Sequence, residues 1–171
     1  LRGLTLSKRK IDELGQDGHA IYLFFPRNPP SPEAAAYIAD GHRTGIDTAY
    51  KCRIRKVWYR VPLVPAADLF LTCMNADTPR LTANEVGARH LNSVHGVYLK
   101  EGLSKLGRGL LPLASLNSVT LLHAEIVGRA YGGGILKIEP READAWLMPS
   151  PALVSTCADG LLRSKQKVAD L

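Results

Sequence analysis

The chain has 171 residues, 46% of them hydrophobic, and carries 22 Lys and Arg against 16 Asp and Glu, a formal net charge of +6. That apolar fraction allows a substantial core in one compact domain and excludes an extended low-complexity polymer, while the positive balance favours an anionic partner without requiring one. Cys52, Cys73 and Cys157 are too widely spaced for a zinc knuckle or a thiol redox pair, and no apolar run reaches the length of a membrane span, so the expectation is a cytoplasmic protein with reduced thiols and no membrane partner.

The sequence starts at Leu1 without an initiator Met or a signal core, which reads as a domain taken from a longer protein. Ala20 to Phe25 is an apolar run that predicts a buried strand, stopped by Pro26 and the turn-rich Asn28-Pro29-Pro30. A helix follows, with Ser31 as its N-cap, Pro32 at its first position, Glu33 in its first turn and Gly41 ending the run Ala34 to Asp40. Strands are then expected at Tyr50 to Ile54, Trp58 to Val61, Leu69 to Met74, Arg80 to Ala83 and Val94 to Leu99, with Pro62, Pro65 and Pro79 between them. From Leu113 the residues Leu116, Val119, Thr120, Leu122, His123, Ile126 and Val127 recur at helical spacing up to Gly128, which predicts the principal core helix. Tyr131 to Gly134 turns into a short strand, Ile135 to Ile138, and Pro140 opens a helical turn through Trp146 that Pro149 and Pro151 break. The expected class is mixed α/β, with residues 1–154 as the domain and 155–171 as a polar tail or final helix.

The most informative stretch is Tyr50 to Arg60, which holds five cations and three aromatic rings and no carboxylate. In a strand, Lys51, Arg53 and Arg55 would share one face while Cys52 and Ile54 turn to a core. Such a face suits phosphates and base edges, because Arg forks two donors onto guanine or a phosphate and an aromatic ring stacks on a base. The plain alternative is a solvated edge strand guarded by positive charge, and local composition leaves the two open.

Asn28-Pro29-Pro30-Ser31 is similar to the Asn/Asp-Pro-Pro-aromatic motif of amino-methyltransferases, but Ser31 cannot stack on a base and a helix cap explains it better. The cofactor-binding glycine turn after a strand is also missing, and no Asp or Glu has a Lys two residues later, the spacing a metal-dependent nuclease uses. His90 and His95 lack a third ligand nearby, so no metal site is expected, and Asn92 and His95 are better regarded as base or phosphate contacts. The glycine-rich segments Gly102 to Gly109 and Gly128 to Gly134 read either as anion nests, with Lys105 and Arg108 in the first, or as a flexible connector and a capped turn.

Taken in order, several blocks resemble the C-terminal target-recognition region of large bacterial N6-adenine DNA methyltransferases of restriction-modification systems. They are Tyr50 to Arg55 with Trp58-Tyr59-Arg60-Val61-Pro62, Asp68 to Leu71, Arg80-Leu81 with Asn84, Asn92 to Val97, Leu116-Asn117-Ser118, Glu125, and Gly128-Arg129 with Tyr131 to Pro140. The resemblance covers roughly residues 20–149. It implies a strand-rich specificity domain with a long core helix and a C-terminal strand-helix unit, related to the halves of type I specificity subunits. It further implies sequence-specific binding of double-stranded DNA, with a catalytic methyltransferase domain in the same chain that uses S-adenosylmethionine. On that view this stretch has no catalytic or cofactor-binding residue of its own, and Lys51, Arg53, Arg55, Lys56, Arg60, Trp58, Tyr59, Asn92 and His95 are its DNA contacts. The alternatives are an assembly domain of such a system, with the cations as a charged rim, and an enzyme whose site is not recognised.

Overall fold

The computed structural model describes residues 3–168. In chain order its elements are β1 (Thr5–Leu6), α1 (Lys8–Gln16), α2 (Pro32–Arg43), a 3-10 turn at Ile46–Thr48, α3 (Tyr50–Arg53), β2 (Leu69–Thr72), β3 (Met74–Asn75), β4 (Leu81–Asn84) and β5 (Val94–Val97). There follow α4 (Ser104–Ala114), α5 (Ser118–Val127), β6 (Arg129–Tyr131), β7 (Ile135–Lys137), α6 (Pro140–Ala145), α7 (Pro151–Thr156) and α8 (Ala158–Val168). The fold is mixed α/β, and it divides into two compact units: the stretch up to Glu13 together with everything from Val64 onward, and Leu14–Leu63.

The larger unit is organised by a four-stranded sheet of order β1-β4-β2-β5, parallel only between β1 and β4. The alternation of β2 explains its unbroken apolar run. Leu69 and Leu71 join Leu81, Ala83, Ala124, Leu136, Ile138 and Trp146 on one side, while Phe70 packs with Leu6 and Ala67 on the other. A strand covered on both faces needs apolar residues at every position. Two polar side chains tie the rim of this sheet. Asn84, buried, donates Nδ2 to the carbonyls of Ala67 (2.8 Å) and Ala88 (2.9 Å) and accepts the Ala88 N–H on Oδ1 (2.9 Å). Asp68 accepts the Leu99 N–H (2.8 Å), the Ser104 hydroxyl (2.7 Å) and the Arg108 guanidinium (2.5 Å). Burial pushes the Asp68 carboxyl up, but the Ser104 hydroxyl, the Leu99 N–H and Arg108 together outweigh it and hold the group below the ordinary carboxylate range.

Gly102 to Gly109 is therefore neither a nest nor a loose connector. Most of it is the first half of α4, Arg108 is spent on Asp68, and Gly107 is the point where the helix meets the Leu99 side chain. The expected single helix from Leu113 to Gly128 is two. Ser115 ends α4, and Asn117 caps α5 by accepting the Thr120 N–H (3.0 Å) while donating to the Ala114 carbonyl (2.8 Å), a reciprocal use of one amide that a continuous helix would not permit. The buried face of α5 also differs from the expected one. Thr120 and Ala124 point inward, and the Trp146 indole donates to the Thr120 carbonyl (2.8 Å).

The second sheet has the order β3-β7-β6. The hairpin between β6 and β7 turns through Gly133 and Gly134, both at positive φ (78° and 75°), which only glycine adopts without strain. Pro140 does open α6, with a reciprocal cap between Glu139 and Glu142, and Trp146 ends it. Ser150 caps α7, and Val154, Ala158 and Leu161 pack against Leu110 and Ala114 of α4. Among the described residues no single helix is long and apolar enough to cross a membrane.

In the Leu14–Leu63 unit the predicted strand from Ala20 to Phe25 is absent. The segment has no strand partner and Tyr22, Leu23, Phe24 and Phe25 are exposed, Tyr22 to 89%. An apolar run cannot become a strand without a ladder to satisfy its backbone. The helix start is as predicted, with the Ser31 hydroxyl accepting the Ala34 N–H (3.2 Å). Its end is not, since α2 runs through Gly41 to Arg43 and is capped at Thr44. Gly41 serves packing instead: a Cβ there would lie 2.7 Å from the Trp58 ring.

Candidate nucleic-acid interface

The basic stretch begins with a helix, not a strand. Cys52 and Arg53 donate their N–H groups to the Ala49 carbonyl (2.8 and 3.0 Å) and Ile54 donates to Tyr50 (3.3 Å), so local bonds satisfy a backbone that has no neighbouring strand. The shared face of Lys51, Arg53 and Arg55 is thereby lost. Residues two apart on a helix are about 200° apart around its axis, and Arg55 lies beyond the end of α3. Trp58 to Val61, also expected as a strand, is turn and irregular chain. The apolar and cationic residues alternate here over too few positions to distinguish a strand from one helical turn.

What the chain does bring together is a concave surface. Lys51, Arg55, Lys56 and Arg60 surround an open cleft of about 800 Å³ whose apolar lining comes from Phe25, Ile54, Val57 and the segment Val61 to Leu63. Arg60 is held in place, its guanidinium 5.3 Å from the centre of the Phe25 ring and its Nη2 donating to the Pro26 carbonyl (3.0 Å). Arg55 makes one long contact to the Trp58 carbonyl (3.5 Å), and the Lys51 ammonium stands 5.8 Å from the Tyr50 ring. Arg53 and Lys56 are exposed. Among the described residues none of the five cations has a carboxylate partner, whereas nearby Arg43 pairs with Asp40 (2.5 Å) and His42 with Asp47 (2.6 Å). Four cations without a carboxylate partner among the described residues thus ring an apolar floor, with Arg53 exposed on the same segment, an arrangement whose charge and shape suit an anion that also carries flat or apolar surface.

The remaining expected contacts stand differently. Trp58 packs its ring on Gly41 and meets Tyr59 edge-on at 5.6 Å, both rings half-buried, so Trp58 anchors the basic segment to α2. Asn92 and His95 belong to the larger unit. Asn92 is exposed in the turn before β5, but His95 directs Nε2 at the Ile138 carbonyl (2.7 Å), a bond that ties β5 to the chain leaving β7. His90 faces Gly96 and the edge of Phe70 (5.8 Å), and no group of three potential metal ligands occurs among the described residues. Sequence reasoning missed Phe25 as a wall of the cleft and Tyr22 as an exposed ring, 89% accessible. The signal was present in the aromatic run before Pro26, which has no complementary strand-forming segment close by.

Comparison with known proteins agrees with the sequence resemblance. The family described as Type II methyltransferase M.Eco57I, C-terminal domain, matches residues 1–170. Type II methyltransferase M.XamI of Xanthomonas campestris pv. amaranthicola is 38% identical over 109 residues, which is 62% of this chain and 19% of that protein. Type II methyltransferase M.AccI of Acinetobacter calcoaceticus is 24% identical over 143 residues, 83% of this chain and 26% of that protein. The aligned regions thus span about a fifth to a quarter of these curated relatives. No solved structure matches.

Proposed function

The chain belongs to the family of C-terminal domains of M.Eco57I-type type II methyltransferases, and from that premise we propose that it is the part that reads double-stranded DNA for a methyltransferase of a restriction-modification system. The observation that carries this reading is the cleft ringed by Lys51, Arg55, Lys56 and Arg60, with Arg53 exposed on the same segment and, among the described residues, no carboxylate partner for any of them. In a family tied to DNA methylation, such a surface finds its counterpart in the phosphate backbone. Phosphate contacts set register, and the side chains that reach base edges choose the sequence. Residues 1–154 are assigned to recognition. Methyl transfer to adenine N6 and the binding of S-adenosylmethionine are assigned to a catalytic domain of the same polypeptide, and no residue of this chain is given a catalytic role.

Trp58 is a positioning residue on this reading, since its contact with Gly41 fixes where the cations stand. Asn92 remains a candidate contact. His95 keeps its imidazole on Ile138 and reaches DNA only if that bond is exchanged.

The test is a search for preference. The protein is incubated with a pool of randomised duplexes, the bound fraction is sequenced, and the enriched site is titrated by fluorescence anisotropy against an unrelated duplex. Enrichment of one site, with Arg53→Ala and Arg55→Ala weakening it, is expected; each lost base contact costs about 1–3 kcal/mol on that site alone. A pool that emerges unchanged, with equal binding before and after both substitutions, refutes sequence recognition by this surface.

A further inference from the structure

The apolar floor of the basic cleft has no counterpart in an intact duplex. Stacked base pairs offer a protein their phosphates and the edges in their grooves, while the face of each base is covered by its neighbours. The rim cations can meet those phosphates, but the floor beneath them would face only charge and water. That floor is open: Phe25 and Ile54, which line it, are 44% and 59% accessible. A major groove about 12 Å wide is read by an element that protrudes into it. This site is concave instead, and its 800 Å³ or so lies within the roughly 300–1,000 Å³ of clefts that hold a small molecule.

We infer that the cleft holds one unstacked nucleotide of the bound DNA, its base against Phe25 and its neighbouring phosphates on the rim cations; this deepens the DNA-reading role proposed above and rests on it. A base taken out of the stack has a bare flat face, and such faces stack on aromatic rings and on guanidinium planes. Phe25, with the Arg60 guanidinium 5.3 Å from its ring centre, supplies one of each. The Arg60 bond to the Pro26 carbonyl (3.0 Å) fixes that pair before a ligand arrives. Charge selects a strand over a free nucleotide. Lys51, Arg55, Lys56 and Arg60 together exceed the charge of one phosphate group, whereas a strand continues with a phosphate at every nucleotide. The side chains lining the cleft are apolar or cationic, with no hydrogen-bond acceptor for the exocyclic amine of a base. The nucleotide is therefore held here and not modified, and the cleft favours a base by the area of its face, a purine before a pyrimidine.

The experiment titrates the protein by fluorescence anisotropy against two duplexes of one sequence, the first with a single unpaired adenine in one strand and the second with an abasic residue in place of that adenine. The second keeps the bulge and its phosphates and lacks only the base. The adenine duplex should bind at least about 5-fold more tightly, the low end of what stacking one base on an aromatic ring contributes. Phe25→Leu, with circular dichroism to confirm its helix content, should bring the ratio of the two affinities close to one. Lys56→Ala should weaken both duplexes and leave the ratio unchanged, because it removes a phosphate contact and not the stacking face. Equal affinities in the wild type overturn the inference, as does a ratio that survives in folded Phe25→Leu. Displacement of the adenine duplex by micromolar free deoxyadenosine monophosphate also overturns it, since the site would then serve a free nucleotide. The duplex selection gives an independent answer. A raised ratio with an unchanged pool supports the unstacked nucleotide and refutes only sequence recognition, whereas an enriched site with a ratio of one, or with no binding to either bulged duplex, refutes only the unstacked nucleotide.

Discussion

Removing Arg53 and Lys56 together tests the electrostatic reading with the least disturbance of the fold. Both side chains are exposed and neither has a carboxylate partner among the described residues, whereas Arg60→Ala would also lose the Pro26 bond and uncover Phe25. If all five cations of the Tyr50 to Arg60 stretch neutralise phosphates, the logarithm of affinity should fall with the logarithm of salt with a slope of about −4.5, at about 0.9 per contact. Between about 50 and 200 mM salt that is a loss of roughly 500-fold. With Arg53→Ala and Lys56→Ala three contacts remain, the slope becomes about −2.7, and the loss over the same range shrinks to about 40-fold. The assay is a salt series of anisotropy titrations on one fluorescent duplex, with circular dichroism to check that helix content is unchanged. An unchanged slope in the double variant would show that these cations do not meet phosphates, whatever the absolute affinity.

Gly41→Ala should destabilise by about 1–3 kcal/mol despite the better helix propensity of Ala, because the new methyl lies 2.7 Å from the Trp58 ring; Trp58→Phe should recover part of that loss in urea melts, and full additivity of the two changes would contradict the contact. Asp68→Asn should cost about 2–3 kcal/mol by weakening charge-assisted bonds to Arg108, Ser104 and Leu99. Since the folded Asp68 carboxyl titrates below its unfolded value of about 3.9, its contribution is present above that value and lost as pH falls through the lower folded one. Urea melts should therefore show the wild type losing stability over that acid window and the variant losing less; parallel curves would refute the assignment. Duplex at about 100 times its Kd should stabilise the protein by about 2.7 kcal/mol, seen as a higher melting temperature, and no shift would mean that native and unfolded chains bind DNA alike.

The larger unit was legible where short-range chemistry decides. Leu69 to Leu71, Leu81 to Asn84 and Val94 to Val97 are strands near their expected positions, and Ser31 and Pro140 open helices as their caps predict. Errors arose where partner availability decides. Ala20 to Phe25 and Tyr50 to Ile54 have strand-like composition, but a strand exists only if another supplies its ladder, and one-dimensional pattern cannot state that. At α5 the period was correct and the face was inverted: with apolar residues nearly all round the helix, spacing cannot say which side meets Trp146. Gly41 misled for the opposite reason, since its value lies in a contact with a residue seventeen positions later. The basic cluster was found by composition alone, but its geometry required the fold, because Phe25 and Arg60 are far apart in sequence and adjacent in space.

The placement of that cluster also bears on how binding and order are linked. Within Leu14–Leu63 only Gly41 is fully buried, so the apolar surface that stabilises a larger domain is scarce here. Onto this thin support the sequence loads five like charges in eleven residues. Two such charges about 7 Å apart repel by roughly 0.6 kcal/mol even in bulk water, and no carboxylate among the described residues offsets them. The contacts that hold the segment, Trp58 on Gly41 and Arg60 over Phe25, each bring a cation-bearing stretch against an aromatic or a helix instead of burying it. A polyanion in the cleft would reduce the repulsion and cover the exposed Phe25 ring in one step. The same scarcity of buried apolar surface therefore makes the stability of this unit responsive to any polyanion that binds the cleft in the folded state alone.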